Sequence, residues 1–251
     1  MTVKTFVPLS LLLFTACAGN TYHVDAGVMF ARARGEVALQ NAGGTLDLGS
    51  NQNSLGTLGV DDAQASPYLK VQTVHDRHRF QVNGFKLDND GSGTLTGDFG
   101  DITSGSSVNT SLDFLAIAGV YAYELLRNDH MRLAAGAELA FCQLDVSATS
   151  GLGSESVTTD VIVPMPYVEA EAFLGDFSVG GNFAAMGADL GDGSGRYFDT
   201  ALTGRWQVLP EFELFGGYRY LLLDAYGAAS GRDFDSDIEI QGWFFGGGIR
   251  F

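Results

Sequence analysis

The stretch Glu239-Ile240-Gln241-Gly242-Trp243-Phe244-Phe245-Gly246-Gly247-Gly248-Ile249-Arg250-Phe251 closes the chain and decides its fold. Side chains of a β-strand point alternately to two faces. Trp243, Phe245, Gly247, Ile249 and Phe251 therefore share one face, and Gly242, Phe244, Gly246, Gly248 and Arg250 share the other. From Gly242 onward the only charge, Arg250, falls on the small-residue face. A water-soluble sheet rarely turns Trp, Phe and Ile outward opposite a row of glycines, so the apolar face is expected to meet lipid and the other a barrel lumen.

Working back along the chain, the same parity recurs. Phe212, Leu214, Tyr218, Tyr220 and Leu222 oppose Glu213, Phe215, Arg219 and Leu221. Phe198, Thr200, Leu202, Trp206 and Val208 oppose Asp199, Arg205 and Gln207. Tyr167, Glu169 and Glu171 oppose Val168, Ala170 and Ala172, and Arg132 and Glu138 oppose Leu133, Ala135, Ala137, Leu139 and Phe141. Short turns near 75–78, 126–130, 175–176 and 209–211 alternate with long polar segments near 35–66, 88–111, 145–160, 187–195 and 224–237. That rhythm predicts an all-β chain folded as a closed antiparallel transmembrane β-barrel of ten strands, over 22–34, 67–75, 78–87, 112–125, 131–144, 161–174, 177–186, 196–208, 212–223 and 238–251. Eight strands remain if the first strand or 177–186 stands outside the wall. The first puts Arg32 and Arg34 on the parity of Val24, Val28 and Phe30, which calls for a bulge or an early exit from the membrane. The 112–125 strand is apolar on both faces, so its orientation is open.

Composition narrows the class. After residue 20 no run approaches the roughly 20 apolar residues of a spanning helix. With 34 Gly and only 45% hydrophobic residues, the chain is no helical membrane protein. A net charge of −16 leaves no basic stripe for nucleic acid. Lys4, the apolar run Phe6–Phe14 and Ala16-Cys17-Ala18 read as a signal peptide over 1–18, leaving 19–251 as the barrel. Phe14-Thr15-Ala16-Cys17 also resembles a lipobox, with Cys17 as the lipidated residue. Cys142 is then expected to be a lone packed thiol.

With these features the chain resembles the small outer-membrane β-barrel proteins of bacteria. The resemblance rests on the leader, the alternation and the terminal strand ending in Phe251. It implies an outer-membrane location, contact with outer-membrane lipids, and recognition of the final strand by the barrel-assembly machinery. It implies no activity, because one fold serves many roles.

Two groups of residues invite chemistry. Lys70, Arg79, Asp113, Arg132, Glu138, Glu169, Glu171, Arg205, Glu213, Arg219 and Arg250 are expected on the lumen face. In a small barrel they form a salt-bridged plug or line a narrow polar conduit; the plug is the favoured expectation. In the five long segments 17 acids face one base, Arg232, so the loop rim is expected to be acidic. Within it, Asp88-Asn89-Asp90-Gly91-Ser92-Gly93-Thr94 resembles the start of an EF-hand loop, with Asp88, Asp90, Ser92 and Thr94 at ligand positions for Ca²⁺. Phe99 stands where the bidentate Glu belongs, and Asp-Asn-Asp-Gly is equally good turn chemistry. His23, His75, His78 and His130 all map to the short-turn end, away from the long loops, so histidine-dependent catalysis at the outer rim lacks its base. No catalytic residues are assigned. The sequence therefore points to a monomeric, non-enzymatic barrel with an envelope-structural or surface-interaction role; a narrow porin-like channel is the alternative, and a lipid- or peptide-modifying enzyme stands third.

Overall fold

A computed structural model describes residues 20–151, 153–190, 193–229 and 231–251; the signal peptide and Cys17 lie outside the described residues. The wall strands are β1 (Asn20–Leu39), β3 (Gln64–His75), β4 (His78–Thr94), β5 (Ser107–Arg127), β6 (Met131–Ser150), β7 (Gly153–Leu174), β8 (Phe177–Leu190), β9 (Gly193–Leu209), β10 (Phe212–Ala229) and β11 (Arg232–Arg250). Between β1 and β3 lie a one-turn helix α1 (Leu48–Asn51) and a short β2 (Gln52–Ser54). Every wall strand pairs antiparallel with its neighbours, and β1 pairs with β3 on one side and β11 on the other. The sheet is thus a closed ring of ten strands, which removes both edges. The first strand and the 177–190 strand both belong to the wall, so the eight-strand alternative is discarded.

β2 is not part of the wall's full height. It pairs with β1 opposite Glu36–Ala38, beyond the start of β3 at Gln64, which sits opposite Ala31. The segment around it fills the gap that β3 leaves. Asn89 Nδ2 donates to the carbonyls of Val60 and Asp62 at 2.9 Å each, and the Thr94 amide donates to the Thr57 carbonyl at 3.1 Å.

The strands run 12–22 residues, more than the roughly 9–11 that cross a bilayer. Their outward faces show where the excess lies. Phe30, Leu69, Val82, Ile117, Leu139, Ile162, Phe183, Leu202, Trp243 and Phe245 are exposed. Moving toward the long loops, the outward residues turn charged: Arg32, Lys86, Asp113, Asp145, Asp160, Arg196, Asp224 and Glu239. An exposed apolar belt bounded by charge is a lipid-facing surface. Arg32 lies above that belt and donates to Asp61 Oδ2 at 2.5 Å; the first strand leaves the membrane early. At the short-turn end Tyr22 stacks on Phe251, and toward the loops Tyr218 meets Trp243 edge-on, with centroids 5.7 and 5.1 Å apart. Amphipathic rings at both margins suit the two membrane interfaces.

Candidate functional site

The inward faces divide the lumen into two layers. Toward the short turns they are charged and joined across the bore. Arg79 of β4 reaches Glu169 of β7 (Nε–Oε1 2.8 Å), Glu124 of β5 (3.3 Å) and Gln72 of β3 (2.7 Å). Arg132 pairs with Glu171 at 2.6 Å and with Glu169 at 3.4 Å, and Tyr167 donates to Glu169 at 2.9 Å. Arg205 of β9 bridges Asp25 of β1, at 2.7 Å, to Glu213 of β10. One step higher, Arg219 holds Asp199 (2.5 and 3.0 Å) and reaches across to Asn83 Oδ1 at 3.1 Å, with Phe85 under its guanidinium. Such desolvated charges are tolerable because each finds a partner.

Toward the long loops the same faces become apolar. Met29, Leu87, Leu112, Phe114, Leu144, Leu221 and Ile238 are fully buried in one continuous cluster. Leu55, Leu58, Leu95 and Phe99, from the loop segments, join it. The sequence expectation of a polar plug is thus only half the picture: salt bridges fill the lower lumen and hydrocarbon fills the upper. Between the layers, Glu138 is 3% exposed and its Oε1 has no hydrogen-bond partner among the described residues. Cys142 is buried at 3.5 Å from the Tyr197 hydroxyl, a packed thiol as expected.

Below the charged layer a vestibule of about 470 Å³ opens at the short-turn end. Lys70, Arg79, Arg132, Arg205 and Arg250 line it, with Asn128 and Asp176 at its mouth. His23 sits there too, with Nε2 3.0 Å from both Asp25 Oδ1 and Glu213 Oε1. These are the donors a divalent metal would use, and among the described residues no other His/Cys/Asp/Glu trio converges so. The Arg205 guanidinium, however, already lies between the same two carboxylates and supplies the countercharge a cation would bring. The arrangement is a buried ion-pair knot.

Of the residues singled out from the sequence, Arg79, Arg132, Glu138, Glu169, Glu171, Arg205, Glu213 and Arg219 face the lumen, as do Lys70 and the rim residue Arg250. Asp113 does not. It lies on the outer face of β5, paired in register with Asp88 and 3.5 Å from Lys86 Nζ. With β5 apolar on both sides, alternation alone could not orient it; inward Glu124 fixes the parity. Asp88, Asp90, Ser92 and Thr94 form no wrapped loop. They follow one another along the exposed face of β4, in regular register with β5. At about 3.3 Å per residue the first and last stand roughly 20 Å apart, so the structure does not bring them together around one ion. Asp88 instead accepts from Lys86 at 2.5 Å, which holds its carboxyl below the usual range, while Asp88 beside it pushes the Asp113 carboxyl up. The sequence reading missed Asp25 and Glu124, although both sit on the inward parity of their strands.

No protein-family model and no curated protein sequence matches the chain. Solved structures do. The outer membrane protease OmpT of Escherichia coli superposes with a TM-score of 0.66 at 13% identity, over 93% of this chain and 98% of that one. The fold is that of a bacterial outer-membrane β-barrel. Ail, the attachment invasion locus protein of Yersinia pestis, also matches, at 12% identity over 92% of this chain and 99% of its own, with a TM-score of 0.38. Neisserial surface protein A gives 0.35 at 13% identity, over 93% and 98%. The fold is all that likenesses at such identities carry across; an activity belongs to particular residues, not to the barrel.

Proposed function

We propose that this chain is a monomeric, non-enzymatic barrel of the outer membrane, closed to solute flow, that acts through its surfaces and by stiffening the envelope. The observation that carries this is the double seal of the lumen: the Arg79–Glu169 ion pair from β4 to β7 and the Arg219–Asn83 hydrogen bond from β10 to β4 lie under an apolar layer that includes Phe114, Leu221 and Ile238. Water and ions cross neither a packed hydrocarbon layer nor a lattice of ion pairs without displacing it. Planar-bilayer recording of the refolded protein tests the reading, and silent membranes at high protein load are expected. Steady channel openings would return the narrow channel to first place.

Location and assembly follow from the same surfaces. The exposed belt supports embedding among outer-membrane lipids, and the outward series Trp243, Phe245 and Ile249 on β11, with Phe251 just beyond it, supports recognition by the barrel-assembly machinery. The four histidines support the non-enzymatic reading: His75, His78 and His130 lie at the short turns and His23 in the lower lumen. With the long loops outside, a cysteine placed at Ser154 is expected to react with an impermeant thiol reagent on intact cells and one at Asp129 is not. Labelling of Asp129→Cys alone would invert the orientation.

A further inference from the structure

The vestibule at the short-turn end holds one charge that the ion-pair network leaves over. The five carboxylates of the charged layer all have arginine partners, Asp25 and Glu213 on Arg205, Glu124 and Glu169 on Arg79, and Glu171 on Arg132, while Asp129 and Asp176 at the mouth of the vestibule make no ion pair among the described residues. Lys70 of β3 has neither a hydrogen bond nor an ion pair among the described residues, although it points inward from a strand whose neighbours are crowded with charge. The carboxylates nearest to it electrostatically, Glu169 and Asp25, are already committed to arginines, and Arg205 and Arg79 add like charge around it. A second donor is also left over. Arg132 Nε is buried with no hydrogen-bond partner, while Nη2 of the same guanidinium is shared between Glu169 and Glu171.

Lys70 and Arg132 border the same two spaces. One is the open vestibule of about 470 Å³. The other is a small chamber of about 50 Å³ against β7, β8 and β9, lined also by Arg205, Asn182 and Thr203. An ammonium half-buried in the barrel wall and lacking a counter-charge is costly unless an anion reaches it, and here a route from solution ends on it. The chamber has the volume of an anionic head group, the vestibule that of the molecule bearing it, and amide and hydroxyl side chains at Asn182 and Thr203 stand ready to bond oxyanion oxygens.

We infer that the vestibule is a binding site, open to the periplasmic side, for a soluble molecule bearing a carboxylate or phosphate, with Lys70 as its charge partner and Arg132 as a second donor. The site is separate from the sealed upper lumen and does not depend on whether the barrel conducts.

Titration calorimetry of the refolded barrel with succinate and with inorganic phosphate, in a chloride background of fixed ionic strength, tests the inference. At least one of the two probes is expected to bind saturably, and Lys70→Met is expected to weaken it by about tenfold or more, as removal of a shielded charge partner does. Preference for succinate or for phosphate assigns the head group. Lys70→Arg is expected to keep most of the affinity, showing that charge rather than packing is lost. Heat-modifiable electrophoretic migration checks that each variant is folded. A fold effect is read separately: without probe, Lys70→Met is expected to unfold at higher denaturant than the parent, since it removes an uncompensated charge, and saturating probe is expected to narrow that gap. No saturable binding of either probe over chloride, or equal binding by the parent and Lys70→Met, would overturn the inference.

Discussion

Arg79 of β4 and Glu169 of β7 meet at 2.8 Å across the bore, although β5 and β6 stand between their strands in the wall. The contact closes a span that backbone pairing cannot, because each strand bonds only to its neighbours. Both side chains are buried, so removing Arg79 leaves Glu169 with only the more distant Arg132, at 3.4 Å, as a counter-charge. Arg79→Ala is expected to cost about 3–5 kcal/mol, the usual penalty for breaking a buried pair. Arg79→Met with Glu169→Gln is expected to cost less than Arg79→Ala alone, because no full charge remains unmatched at that contact. Urea unfolding of refolded protein, followed by tryptophan fluorescence, measures both. A double variant weaker than the single would show that the pair itself, not the stranded charge, sets the effect.

The seam between β1 and β11 depends on absent side chains. A Cβ on Gly246 would lie 2.2 Å from the Ala26 carbonyl oxygen and 2.7 Å from Phe215 Cζ. The backbone of β1 cannot retreat without opening the seam. Gly246→Val is therefore expected to prevent closure, seen as loss of the compact, heat-modifiable band after refolding. Compact protein at parental yield would mean that the seam has slack.

How much of this was legible beforehand depends on the strand. Where one parity was charged and the other apolar, as with Glu169 and Glu171 against Val168 and Ala170, the lumen side could be assigned from residues alone. In β5 both parities are apolar, so alternation cannot orient the strand, and Asp113 faces outward beside Asp88 rather than into the lumen. The Asp88–Thr94 series shows a second limit. Spacing resembling a calcium loop is also the spacing of one strand face, and pairing with β5 decides between them. The upper lumen's apolar filling was hidden for a related reason: hydrophobic residues on both faces read the same whether they meet lipid or one another. Cross-bore partners such as Arg219 and Asn83 leave no local signal, being 136 residues apart.

The acids above the lipid belt make the β10–β11 hairpin pH-sensitive. Partial burial and the neighbouring carboxylates, Asp224 foremost, raise the Asp235 and Asp237 carboxyls above the ordinary range. A raised carboxyl binds its proton more tightly in the folded hairpin than in the unfolded chain. Its contribution is fully present below the unfolded value and is lost as pH rises through the folded one. Hydrogen exchange in 224–237, corrected for intrinsic rates, should accordingly be more protected in mild acid than at neutrality, while Asp237→Asn should flatten the difference. Protection that rises with pH would contradict the sign.

Phe114 tests whether the lumen has one barrier or two. Its ring is fully buried against Phe85, with centroids 5.9 Å apart, and belongs to the apolar cluster above the charged layer. Phe114→Ala is expected to destabilise by about 3–5 kcal/mol, from lost burial and the cavity left behind. It is not expected to open a conducting path. Beneath it Arg219 still grips Asp199 and Asn83, and Arg79 still joins β4 to β7. An ion entering the enlarged cavity would meet those pairs before reaching the vestibule, and passage would require breaking them in a site with little water to compensate. Bilayers carrying Phe114→Ala should therefore remain silent, even though its unfolding midpoint falls. Conductance appearing in that variant alone would show that the charged layer is permeable and that the hydrocarbon layer is the sole gate.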